Sequence, residues 1–227
     1  MKQISFSRIH AIFMKDLWEF SRNYAVSLMI LMPIVFAIMY KQMMDSKIGL
    51  SLVIVSIALG LLTTFIQASF IAEEKEKNTL RNLLLSPASL LDILIGKSLL
   101  VLVITVVALA VSFYILDFMP GGLYIIALIL NILIYCALGT ISGLFANSTL
   151  ETTYTILPVT FIFAFSPFIY ALREKFAILE IFKWLPSTQF AEIAIEEDIV
   201  LGFIVIVVWL IMSWAIALML CKRRMVD

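Results

Sequence analysis

Ionisable side chains are scarce in this sequence. Asp, Glu, Lys and Arg make up 14% of its 227 residues, histidine occurs once and cysteine twice. So little charge, beside 63% hydrophobic residues and a mean hydropathy of +1.10, excludes a soluble domain of this length. The lone His10 offers neither a metal cluster nor a catalytic pair. Cys136 and Cys221 fall in or at the end of apolar runs, so no disulfide framework is indicated. No HExxH, GxSxG or paired His/Cys ligand set occurs, and neither Ser166 nor Ser187 has a plausible base. Gly96-Lys97-Ser98 ends like a phosphate-binding loop, but Leu91 stands where the earlier glycine is needed. Catalysis by this chain alone is not expected. Charge is missing from the middle of the apolar runs too. The polar residues there are mostly small or neutral and include Ser56, Thr63, Thr64, Gln67, Thr105, Asn131, Thr160 and Ser166. Relays of the kind ion-coupled transporters use are therefore absent, and a transporter without them takes its energy elsewhere, such as from a partner. The zero net charge carries no message, and nucleic acid is not an expected partner. No cleavable signal peptide is expected, because a charged lead-in precedes the first apolar run.

What is present is a set of apolar runs. Hydropathy predicts an all-α, polytopic membrane protein, a single transmembrane domain over 1–227 with six spans. They are 24–40 (with Pro33), 48–72, 98–116, 123–146, 152–172 (with Pro158 and Pro167) and 200–220. Residues 1–23 are amphipathic, with Phe6, Ile9, Phe13, Leu17 and Phe20 at helical steps and Arg8, Lys15, Asp16, Glu19 and Arg22 on other faces. This segment suits an interfacial helix or, alternatively, one packed on the protein's own cytoplasmic end. With the N-terminus inside, eleven Lys and Arg residues lie inside and five outside, which puts both termini in the cytoplasm. Gly139-x-x-x-Gly143 lets two helix backbones approach closely, within one subunit or between two. The outer segment 173–199 is too rich in apolar residues for a solvated loop. It reads as two short re-entrant or interfacial helices, 176–184 and 189–195, around Leu185-Pro186-Ser187, with a compact surface loop as the alternative.

The segment 73–97 interrupts the apolar pattern most strongly. Glu73, Glu74, Lys75, Glu76 and Lys77 end the second run abruptly. Leu80, Leu83, Leu84 and Pro87 then fall at helical spacing beside Arg81 and Asn82, and Pro87 should split the segment. A short amphipathic helix tethered between two spans docks into a partner's groove or lies on the bilayer. Spacing alone favours the bilayer.

Glu74-Lys75-Glu76-Lys77-Asn78-Thr79-Leu80-Arg81-Asn82-Leu83-Leu84-Leu85-Ser86-Pro87 resembles the first cytoplasmic loop of ABC-2 type transporter permeases. That loop runs E-x-E-x-G-T-x-x-x-L-x-x-x-P with G-K downstream. Glu74, Glu76, Thr79, Leu83, Pro87, Gly96 and Lys97 match it, and Asn78 replaces the usual glycine. The resemblance implies a permease subunit of a bacterial exporter in the plasma membrane. Its partners would be separate ATPase subunits, which bind the ATP and magnesium, and a second permease, a copy or a paralogue. No cofactor is implied on this chain. The resemblance also turns Leu80–Ser89 into a coupling helix seated in an ATPase cleft, reversing the preference for the bilayer surface. Glu74, Glu76, Thr79, Leu80, Leu83, Leu84, Pro87 and Lys97 become ATPase-coupling residues. Phe176, Phe182, Trp184 and Pro186 become an outer gate. The expected substrate is amphiphilic, a drug-like compound or a toxin or antimicrobial peptide, and membrane lipid is a further expected partner. Export of polysaccharide or lipid-linked glycan is the rival within the family; a secondary transporter and an intramembrane enzyme are the rivals outside it.

Overall fold

The computed structural model describes residues 5–42, 46–77, 79 and 88–223, and all regular structure among them is helical. Helix α1 (Phe6–Arg22) leads into a broken apolar stretch of α2 (Tyr24–Ser27), a 3-10 turn (Leu28–Ile30) and α3 (Leu31–Tyr40). Three long helices follow: α4 (Lys47–Glu76), α5 (Leu90–Ile115) and α6 (Gly122–Phe145). A second broken stretch holds α7 (Thr152–Thr155), a π-helical segment (Val159–Ala164) and α8 (Ser166–Tyr170). A 3-10 helix (Ala177–Trp184) and α9 (Pro186–Ala194) then lead to α10 (Ile199–Arg223).

Among the described residues four helices, α4, α5, α6 and α10, are long and apolar enough to cross a membrane. They run about 36–45 Å at 1.5 Å per residue, against a hydrocarbon core of about 30 Å. The stretches expected as the first and fifth spans are shorter and interrupted, and proline explains where. Pro33 lacks an N–H and crowds the carbonyl of Met29, inside the 3-10 turn. Pro158 precedes the π-helical segment and Pro167 opens α8. Helix α5 begins at Leu90, eight residues before the expected start of the third span. Its signal is a capping box. The Ser89 hydroxyl accepts from the Asp92 amide at 3.1 Å, and the Asp92 carboxylate accepts from the Ser89 amide at 2.9 Å. Ser89 is therefore the extended cap of α5 rather than the end of a separate coupling helix.

The core is built on close backbone approach. A Cβ on Gly139 would lie 2.8 Å from the Thr64 carbonyl oxygen, and one on Gly143 would lie 2.6 Å from that of Ala68. The glycine pair thus seats α6 on α4 of the same chain, the within-subunit alternative. Gln67 on α4 spans this contact, donating to the Thr140 hydroxyl at 2.9 Å. Midway along α4, a π-helical turn (Ala58–Thr63) meets the π-helical segment of residues 159–164. There the Thr160 hydroxyl donates to the Gly60 carbonyl at 3.1 Å, and a Cβ on Gly60 would strike Ala164.

At the end of the bundle away from α1, the paired short helices expected over 173–199 are present, with shifted limits. Pro186 starts α9 instead of breaking it, as suits a residue with no N–H to satisfy at a helix's first position. Helix α9 is largely buried. Its Ser187 hydroxyl meets the Tyr135 hydroxyl at 2.7 Å, and Tyr135 stands thirteen residues into α6. The 3-10 helix before it buries no residue.

Candidate functional site

The apolar run of α4 ends near Ala72, but the helix continues through Glu76 and carries the acidic and basic residues with it. Helical phase turns Glu74 inward, to 3% exposure, and leaves Glu76 exposed. Lys97 lies two turns into α5 and is fully buried. The third element is α1. Its buried stripe is Ile9, Ile12, Asp16 and Phe20, rotated from the stripe expected, so that Phe6 and Leu17 are exposed. Gly96 makes room for this packing. A Cβ there would sit 3.0 Å from the Ile12 side chain and 3.1 Å from the Ile9 carbonyl oxygen. Glycine at 96 brings α1 close, and lysine at 97 then meets what α1 carries.

What α1 carries is Asp16, also fully buried. The Lys97 ammonium lies 3.1 and 3.0 Å from the two Asp16 carboxylate oxygens and 3.2 Å from Glu74 Oε1. It also stands 5.7 Å over the Phe70 ring, a favourable place for a cation. Lys15 donates to the same Glu74 oxygen, and the Thr79 hydroxyl donates to the other at 2.5 Å. The Thr79 amide donates to the Glu74 carbonyl at 2.8 Å. Two buried carboxylates are thus matched by two ammonium groups. Burial works against charge on Lys15, but its bond to Glu74 and the charges of Glu74, Asp16 and Glu19 hold its pKa above the ordinary lysine value. Carboxylate oxygens of Asp16, Glu19 and Glu74 lie within 4.8 Å of one another, as a divalent cation would need. Lys15 and Lys97 set two ammonium groups against these three carboxylates, and the arrangement ties three helices together as an ionic clamp.

Satellite contacts extend the clamp. Arg8 on α1 pairs with Asp92 at 2.9 Å, and the Ser5 amide donates to the same carboxylate at 3.0 Å. Lys75 donates to the Ala146 carbonyl at 2.6 Å and to Asn147 at 2.9 Å, placing a cation on the C-terminal end of α6. Glu76 accepts from the Thr149 amide at 2.9 Å.

Of the residues expected to couple, Glu74, Thr79 and Lys97 come together in one cluster, and Glu76 sits beside it on the loop after α6. Leu80, Leu83, Leu84 and Pro87 lie outside the described residues. Phe176, Phe182, Trp184 and Pro186 belong to the opposite end, where Phe176 and Trp184 are exposed, Phe182 is half-buried and Pro186 is buried. Gly139 and Gly143 serve the core between the two ends. Sequence reasoning missed Asp16 as a partner of Lys97. The signal was available: Asp16 shares the helical phase of Ile9, Ile12 and Phe20, which puts a charge on an apolar stripe. No protein-family model matches the chain, and no curated protein matches it.

Proposed function

We propose that this chain is the permease subunit of an ATP-driven ABC-2 type exporter in the bacterial plasma membrane, with both termini cytoplasmic. It moves an amphiphilic compound or peptide outward together with separate ATPase subunits and a second permease. One observation carries this reading: Glu74, Thr79 and Lys97, which flank residues 80–87 on both sides, converge with Asp16 on a single buried ionic cluster. The two stems of that loop are therefore clamped to each other and to α1. A force applied by a partner at residues 80–87 would move the ends of α4 and α5 as one body. Two interrupted stretches, 24–40 and 152–170, complete six spans in this reading, and the π-helical turns where α4 meets the second of them are its points of bending. The 3-10 helix and α9 form the outer gate.

The loop's apolar face is the part that must enter the ATPase. In the Leu83→Asp/Leu84→Asp variant, two carboxylates would be desolvated without partners, so the ATPase should no longer co-purify. Substrate-stimulated ATP hydrolysis should fall to background while membrane insertion stays normal. Retained binding with unchanged hydrolysis would mean that the loop rests on the membrane, and the proposal would fail.

A further inference from the structure

An apolar cavity lies outside the features discussed so far, between α5 and α6 at the end away from α1. Its volume is about 670 Å³, within the range of about 300–1,000 Å³ that suits a small-molecule ligand. Val106, Leu109, Phe113 and Tyr114 line one side, and Leu128 and Ile129 the other. From Val106 to Tyr114 the groove follows eight residues of helix, about 12 Å. That is close to the hydrocarbon depth of one leaflet, about 15 Å. The groove is almost wholly apolar except at its mouth, where Asp117 stands in the turn between the two helices.

Asp117 holds the left-handed backbone conformation, with φ of 52°, and gathers two cations. Lys41, just past α3, reaches its carboxylate at 2.8 Å. Lys47, at the start of α4, donates to its carbonyl oxygen at 2.9 Å. One carboxylate and two ammonium groups leave the mouth with a positive charge. Tyr114, 85% exposed beside it, offers a hydroxyl at the level where membrane proteins place tyrosine.

We infer that the groove is a site for one anionic phospholipid, an acyl chain lying along α5 and α6 and the headgroup phosphate bound by Lys41 and Lys47. Bilayer tails are as apolar as the groove wall, so the wall confers shape but little selectivity. Selection must come from the charged mouth, which is why an anionic headgroup, and not a zwitterionic one, is the occupant. The inference stands without the transport reading, because it uses only the groove and its lysines.

The test is native mass spectrometry of the full-length chain released from detergent containing equal amounts of phosphatidylglycerol and phosphatidylcholine with identical tails. The wild type should retain phosphatidylglycerol at least about fivefold over phosphatidylcholine, as one lysine near a phosphate can provide. Lys41→Gln/Lys47→Gln should retain the two lipids equally. Ala110→Trp, which fills the groove from its exposed wall, should lose both without changing the fold of the mouth. Equal retention by the wild type would overturn the inference, and so would a preference that survives the lysine substitutions. Unchanged retention in Ala110→Trp would overturn it too, and if that variant also passed from dimer to monomer, the occupant would be a second copy of the chain. If the lysine variant does not fold, the wild-type preference and the Ala110→Trp result decide the matter between them.

Discussion

Lys97 touches two buried carboxylates, those of Asp16 and Glu74, so a substitution there should be strongly felt. Removing one partner from a buried ionic group costs about 3–5 kcal/mol, because the remaining charge stays desolvated. Lys97→Met should therefore lower the thermal unfolding midpoint of the purified protein sharply. Asp16→Asn/Lys97→Met should lose less than the sum of the single variants, since the groups share one cluster. Additive losses would mean that the two residues do not act on each other. At the other end, Glu192 on α9 is buried, which raises its pKa above the ordinary 4.5. The charges of Asp198 and Glu197 add to this, and Lys183 and Gln189 oppose it. A raised carboxyl pKa means that the folded protein binds the proton more tightly than the unfolded chain. The stability from that proton is present below the ordinary value and is lost as pH rises through the folded value. Glu192→Gln should flatten the dependence of the unfolding midpoint on pH above 4.5 and raise that midpoint at neutral pH. A steeper profile in the variant would contradict the assignment.

Among the elements, the α4–α6 contact leaves the least room. The atoms that a side chain at Gly139 or Gly143 would meet include backbone carbonyls, which do not move aside as a side-chain tip would. Gly143→Leu should overpack this contact and destabilise the chain by about 1–3 kcal/mol or more. Because the contact lies within one chain, the loss should appear as a lower unfolding midpoint at an unchanged number of subunits. A changed subunit count with unchanged stability would place the glycines at a subunit boundary instead. The helices also show which features of the elements hydropathy reads and which it does not. Hydropathy reports which residues suit lipid and not how far a helix runs, so the polar ends of α4 and α5 were invisible to it. The start of α5 was written in Ser89 and Asp92 all the same, as a capping box. Apolar content alone predicts spans at 24–40 and 152–172; both stretches are interrupted, and Pro33, Pro158 and Pro167 mark where a backbone N–H is missing.

For the whole molecule, an all-helical fold with several long apolar helices, compatible with a membrane protein, was legible from composition, and the charged end of α4 was recognisable as the place where the pattern breaks. The partnership of Lys97 with Asp16 was not, because it joins residues 81 apart whose meeting depends on how closely Gly96 lets α1 approach. In the function proposed for this chain, a partner engages residues 80–87 at this end of the molecule. The most direct test is to tag the chain, purify it from its native membrane in mild detergent, and assay the eluate for ATP hydrolysis while identifying the chains that co-elute. The account predicts a nucleotide-binding subunit in the eluate and magnesium-dependent hydrolysis, both lost in Leu83→Asp/Leu84→Asp. An eluate with no nucleotide-binding chain, and with hydrolysis no greater than that of membranes lacking this protein, would contradict it.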